Sequence, residues 1–166
     1  DLYTMTQYKP EISELSITIT GDIAHSRVAH SLISGLITLG ATDIRLAAPK
    51  AWQPSIQHPA ISYHDDLQPA LKGADIIYLL RVQKERIENA KALDFTTFHQ
   101  KYGLTEERLC YAKPDCVVMH PGPINRGVEI SDGVADGPQS LILEQVVNSV
   151  PVRMAAIDFV LNQNEF

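Results

Sequence analysis

The chain has 166 residues, enough for one domain with a real core, and an ordinary globular composition of 45% hydrophobic and 20% charged residues. A formal charge of -6 gives it no general attraction for nucleic acid or anionic membranes, so an anionic ligand must be held by locally placed arginines. No apolar stretch is long and uncharged enough to span a membrane, and the N-terminus lacks a charged-then-apolar signal segment. Cys110 and Cys116 make neither a disulfide framework nor a zinc pattern, and reduced thiols agree with an expected cytoplasmic location.

Leu2, Met5 and Tyr8 lie on one helical face, and Pro10 ends that helix. With no initiator methionine and no lead-in, the chain reads as starting inside an element that continues upstream. Ser16-Ile17-Thr18-Ile19-Thr20 alternates and is β-branched, a strand ending at Gly21. His25 to Leu39 carries Val28, Leu32, Ile33, Leu36 and Ile37 at helical spacing, and Gly40 stops it. Ile44 to Ala48 is a second strand, closed by Pro49, and Ile61 to Tyr63 a short third. Asp65 or Asp66 caps a short helix through Leu71, which tolerates Pro69 in its first turn. Ala74 to Leu80 is the continuous apolar run of a central parallel strand. From Val82 to Thr97 the pattern weakens and charges dominate. Phe98 to Tyr102 and Glu106 to Ala112 are short helical pieces, and Val117 to Met119 is a fifth strand that buries Cys116 beside it. Residues 120–138 form a long Gly- and Pro-rich loop. Gln139 to Leu161 is helical with a break near Asn148 to Pro151, so that Pro151 starts the last helix.

Strands alternating with helices predict an α/β fold: a three-layer Rossmann-like domain with a five-stranded parallel sheet, order 3-2-1-4-5, and helices on both faces. In such sheets the ligand crevice lies beyond the carboxyl ends of the strands, where the order reverses. Three segments therefore matter, those after Thr20, Leu80 and Met119.

After Thr20 comes Gly21-Asp22-Ile23-Ala24-His25-Ser26-Arg27. Arg27 falls in the first turn of a helix, where a cation opposes the macrodipole unless an anion sits nearby. A solvated Arg27, with Asp22 or Ser26 as the cap, is equally compatible. After Leu80 comes Arg81-Val82-Gln83-Lys84-Glu85-Arg86. Arg81 follows an apolar strand directly, and its planar fork suits a carboxylate; Gln83 points the same way by alternation. Lys84 reads as a solvated charge. After Met119 comes His120-Pro121-Gly122-Pro123-Ile124-Asn125-Arg126-Gly127-Val128-Glu129-Ile130. The prolines remove donors and leave carbonyl acceptors, among them those of Pro121 and Gly122, which suit an amino or carbamoyl NH group. His120 is either an acid–base group or a structural histidine, and Glu129 could pair with Arg126 or Arg81.

Two arginines plus carbonyl acceptors describe a pocket for a small amino acid with two carboxylates. The segment Gly21 to Arg27 lacks G-x-G-x-x-G, no Walker or H-E-x-x-H pattern occurs, and the six histidines do not cluster as metal ligands. Asp22, His25 and Ser26 are close in sequence, but that is no triad geometry, and G-x-S-x-G is absent. A metal site is not expected.

Several stretches closely resemble the aspartate carbamoyltransferase family. They are Asp1-Leu2-Tyr3-Thr4, Gly21-Asp22-Ile23 with His25-Ser26-Arg27-Val28, Arg81 to Arg86, His120-Pro121-Gly122-Pro123 with Asn125 to Ile130, and Gln145 with Val152-Arg153-Met154-Ala155. The resemblance implies transfer of a carbamoyl group from carbamoyl phosphate to the amino group of L-aspartate, in pyrimidine biosynthesis, with no cofactor. It also assigns roles. Arg27 would bind the α-carboxylate and Arg81, with Gln83, the side-chain carboxylate. The Pro121–Gly122 backbone would accept from the reacting groups, with Ser26, His120, Arg86 and Glu129 in support. Val82 to Thr97 resembles the family's mobile loop. The sister ornithine enzymes typically carry H-C-L-P, whereas His120 is followed here by Pro121 and Gly122, and Arg81 would repel their cationic substrate.

By the same resemblance, residues 1–9 are the end of an interdomain linker helix. Residues 10–148 are the aspartate-binding domain, and 149–166 a C-terminal helix that packs on an N-terminal domain. That other domain would bind carbamoyl phosphate, and a lysine from a neighbouring subunit of a homotrimer would complete the site. The chain alone would be inactive, and Val152, Met154, Ile157, Val160 and Leu161 would lose partner surface, giving an exposed apolar patch, a swapped or dimeric contact, or disorder at one end. The wording of 121–126 also resembles bacterial forms that assemble with dihydroorotase-like chains. A non-catalytic carbamoyltransferase-like scaffold or regulatory module is the alternative, although it need not keep Arg27, Arg81 and Gln83.

Overall fold

The computed structural model describes residues 1–82 and 95–162. In chain order the elements are α1 (Leu2–Tyr8), β1 (Ser16–Thr20), α2 (Arg27–Thr38), β2 (Asp43–Ala47), β3 (Ile61–His64), α3 (Leu67–Leu71) and β4 (Ile76–Leu79). They continue as α4 (Phe95–Tyr102), α5 (Glu106–Leu109), β5 (Val117–Met119), α6 (Asp132–Ala135) and α7 (Ile142–Asn162). The strands form one parallel sheet in the order β3-β2-β1-β4-β5, flanked by helices. The order reverses between β1 and β4, as the alternation of strands and helices predicts.

Burial explains why these strands are central. Ile17, Ile19, Ile44, Leu46, Ile76, Ile77 and Tyr78 are fully buried, the pattern of a sheet covered on both faces. Thr18, on β1, is as buried as the isoleucines beside it; its hydroxyl donates to the Ala70 carbonyl at 2.6 Å and ties α3 to the sheet. The edge at β5 is covered by chain. Val118 N donates to Gln139 O and Leu141 N to Val118 O, both at 2.8 Å, so 139–141 adds a short rung before α7 begins.

Three local expectations are corrected. Residues 120–138 are not wholly loop, because α6 forms within them. Asp66 occupies the N-cap of α3, but its side chain makes no capping bond. Most visibly, α7 passes through Pro151 without a break. Proline there removes the N–H that would bond the Val147 carbonyl. Every residue of 149–162 is exposed except Ser149, which is half-buried, so water can serve that carbonyl and the helix continues. Of the residues expected to form an apolar patch, Met154, Ile157, Val160 and Leu161 are each more than 60% exposed and Val152 44%, and Phe159 is exposed with them. Among the described residues no helix is long and apolar enough to cross a membrane.

Candidate functional site

The crevice is built where β1 and β4 separate. Leu80 N donates to Thr20 O at 2.8 Å, and the chains stay so close that a Cβ on Gly21 would lie 2.7 Å from Leu80 O. Gly21 also has φ +122°, open in practice only to glycine. The segment beyond it is anchored twice. Ala24 N donates to Trp52 O at 2.8 Å, and buried Asp22 holds His25 Nδ1 at 2.7 Å. Ser26 is the N-cap of α2, its Oγ accepting from Ala29 N at 3.2 Å. A hydroxyl so engaged is a cap, and Arg27 becomes the first helical residue with its side chain exposed.

Arg81 leaves β4 exposed, while Val82 turns inward and its carbonyl accepts from Asn125 Nδ2 at 2.9 Å. That bond ties the Arg81 segment to the loop after β5. None of the ion pairs among the described residues engages Arg27 or Arg81. Gln83 and Arg86, with Lys84 and Glu85, lie outside the described residues, as does most of the expected mobile loop.

The loop after β5 departs from expectation in its charges. Glu129 pairs with neither Arg126 nor Arg81. Gly127 N donates to Ile130 O at 2.8 Å and Val128 N to Asn125 O at 3.1 Å, a reversal that sends the two side chains to opposite sides. Arg126 faces solvent and forks onto Asp132 and Asp136 at 2.8 Å each. Glu129 is buried, its Oε1 3.2 Å from His120 Nε2 and 2.5 Å from Asn125 N. Its Oε2 is buried without a hydrogen-bond partner among the described residues, as is Thr20 Oγ1 at the end of β1. Gly122 N donates to His120 Nδ1 at 2.8 Å.

Beside this loop runs a polar chain, buried at His120, Gln145 and Tyr78 and exposed at Asp1, that sequence reasoning missed. His120 N donates to Gln145 Oε1 at 2.8 Å, and Gln145 Nε2 donates to Asp1 Oδ1 at 2.8 Å. Asp1 caps α1 in position but not by side chain; its other oxygen accepts from Tyr78 OH at 2.7 Å. Burial raises the Tyr78 phenol well above its usual range, which keeps it a donor. The available signal was a glutamine on the inward face of a helix start, beside buried Leu141. In front of the loop is a cavity of about 550 Å³ whose walls include Tyr3, His120, Pro121, Gly122 and Gln145. A neighbouring groove of about 680 Å³ is lined by Arg27, Val28, Tyr3 and Val152. Among the described residues no group of three His, Cys, Asp or Glu could hold a metal ion.

A parallel sheet with guanidinium groups and a proline-rich carbonyl loop at its carboxyl edge defines an α/β small-molecule-binding domain. Residues 13–160 match the family described as aspartate/ornithine carbamoyltransferase, Asp/Orn binding domain, and the chain belongs to that family. It is 49% identical over 165 residues, 99% of its length, to an aspartate carbamoyltransferase catalytic subunit of Ruthia magnifica. A Coxiella burnetii protein of the same name is 48% identical over 97% of the chain. The chain spans 52% of the length of each of these relatives. Among solved structures, ornithine carbamoyltransferase from Pyrococcus furiosus superposes with a TM-score of 0.77 at 28% identity, covering 89% of this chain and 50% of that one. The Burkholderia thailandensis ornithine carbamoyltransferase, at 23% identity, 96% and 51% coverage and a TM-score of 0.79, supports the fold alone.

Proposed function

We propose that this chain is the aspartate-binding half of an enzyme that moves the carbamoyl group of carbamoyl phosphate to L-aspartate. The products are N-carbamoyl-L-aspartate and phosphate, a step of pyrimidine biosynthesis. The observation that carries the reading is the pair of exposed arginines, Arg27 and Arg81, with no ion-pair partner among the described residues at the carboxyl edge of β1 and β4. An unpaired guanidinium is a ready fork for a carboxylate. Arg27 takes the α-carboxylate, and Arg81 with Gln83 the side-chain carboxylate. The Pro121 and Gly122 carbonyls accept from the amino and carbamoyl groups. Catalysis is by positioning and electrostatics, with no metal or organic cofactor.

Carbamoyl phosphate is bound by a second domain, and residues 1–9 and 149–162 face it. The working enzyme is a cytoplasmic homotrimer, with dihydroorotase-type chains as candidate partners. Ornithine fits less well, because its cationic side chain would meet Arg81.

Arg81→Ala in the chain joined to a carbamoyl-phosphate-binding half tests this reading. Losing a charge-assisted fork of about 1.5–3 kcal/mol raises the KM for aspartate roughly 10- to 100-fold, with carbamoyl phosphate binding unchanged. A change in aspartate KM below about twofold would refute the assignment.

A further inference from the structure

The loop after β5 contains a histidine to which the proposed reaction gives no contact with a ligand, and it is deeply engaged with the protein. The His120 side chain is 0% exposed, and its partner Glu129 is 2% exposed. Gly122 N–H donates to Nδ1 at 2.8 Å, so Nδ1 is an acceptor and the ring proton sits on Nε2, facing Glu129 Oε1 at 3.2 Å. Both ring nitrogens are therefore spent on the protein itself. A ring held this way has no lone pair or proton to offer a ligand.

It does have a consequence for the backbone. The Pro121–Gly122 peptide is trans, so its N–H and C=O point in opposite directions. Anchoring the Gly122 N–H on the buried ring makes the Pro121 carbonyl point away from that ring, and Pro121 and Gly122 both line the cavity. We infer that His120 is a positioning residue: its Nδ1 lone pair turns the Pro121 carbonyl outward as an acceptor for the amino group of the ligand.

The surroundings keep the ring from turning. Glu129 Oε1 accepts from Asn125 N as well as from the ring, and Asn125 Nδ2 is fixed on Val82 O at 2.9 Å. The His120 backbone is held by Gln145, which is held in turn by Asp1. Burying a glutamate with one oxygen unpartnered among the described residues is costly, and a site that only needed packing would be cheaper with apolar residues. The arrangement makes sense if tautomer and orientation matter. The inference rests on the proposed reading for its ligand, but the geometry it invokes can be measured without one.

The test compares the wild-type chain with His120→Asn, whose Oδ1 stands near the position of Nδ1, and His120→Gln, which can reach Glu129 but offers Gly122 no acceptor. Amide exchange by NMR is expected to find Gly122 protected in the wild type and in His120→Asn, and unprotected in His120→Gln. The wild-type imidazole nitrogen spectrum should report Nε2–H with an unprotonated Nδ1. Titrations then use L-aspartate and succinate, the same dicarboxylate without the amino group. In His120→Gln the Kd for aspartate should rise about tenfold while that for succinate stays within about twofold, and His120→Asn should hold both within about threefold.

A merely structural histidine would weaken both ligands alike, and that result overturns the inference. So does a proton on Nδ1, or an unprotected Gly122 amide in the wild type; these two readouts stand even if the variants fail to fold. If wild type binds neither dicarboxylate, the proposed ligand is wrong, and the exchange and imidazole measurements still decide the orientation of the Pro121 carbonyl.

Discussion

The site depends on β1 and β4 staying close until Gly21 and then parting, and Gly21→Ala probes that directly. An added Cβ would meet Leu80 O at 2.7 Å and Leu80 Cβ at 2.8 Å, distances at which something must move. Leu80 N is bonded to Thr20 O at 2.8 Å, so the relief available is to spread the two strands at their last rung. An L-residue at φ +122° costs about 1–2 kcal/mol in backbone strain. The overlap adds about 1–3 kcal/mol, and weakening the rung up to about 1 kcal/mol. The expected loss is about 2–6 kcal/mol, read as a lower urea midpoint at unchanged slope and a fall in Tm of roughly 4–24 °C. Gly73→Ala is the control, since Gly73 also has positive φ, +66°, but a Cβ added there would meet nothing within 4 Å. It should lose only about 1 kcal/mol. Equal losses at the two positions, or a loss below about 1 kcal/mol at Gly21, would show that the close approach of β1 and β4 is not what requires glycine.

Ending the chain after Val150 should change Tm by less than about 2 °C, because every residue of 151–162 is exposed and little packing is lost. Binding of an apolar dye should fall with it; a drop in Tm beyond about 5 °C would mean that this helix is packed in solution. Cys110 should react with a thiol reagent in the native chain and Cys116 should not, since Cys116 is buried and its thiol is pushed up to about 12 by burial and by nearby Asp75. The folded value lies above the unfolded one, so this group's contribution to stability is complete below the ordinary thiol value of 9.0 and is lost as pH rises toward 12. Two equally fast thiols under native conditions would contradict that burial.

Much of this domain is determined by sequence alone. The alternation in Ser16–Thr20 and the apolar run at Ile76–Leu79 define strands because each periodicity matches a backbone repeat. Strand–helix alternation then leaves few topologies, which is why the order β3-β2-β1-β4-β5 and the position of the crevice were legible. The places of Arg27, Arg81 and His120 were legible too, because each lies in the segment that follows a strand of the sheet. What the sequence left open was which polar groups meet. Glu129 chose buried His120 over Arg126 and Arg81 because the 125–130 reversal sends it inward, and Ser26 resolved as a cap. Gln145 reaches Asp1 across 144 residues, a contact no local pattern encodes. Pro151 reads as a helix start in sequence, yet α7 runs through it because its surroundings leave that turn in water. Local patterns report what a backbone prefers, whereas the partners of a buried polar atom are fixed only when the elements carrying them pack together.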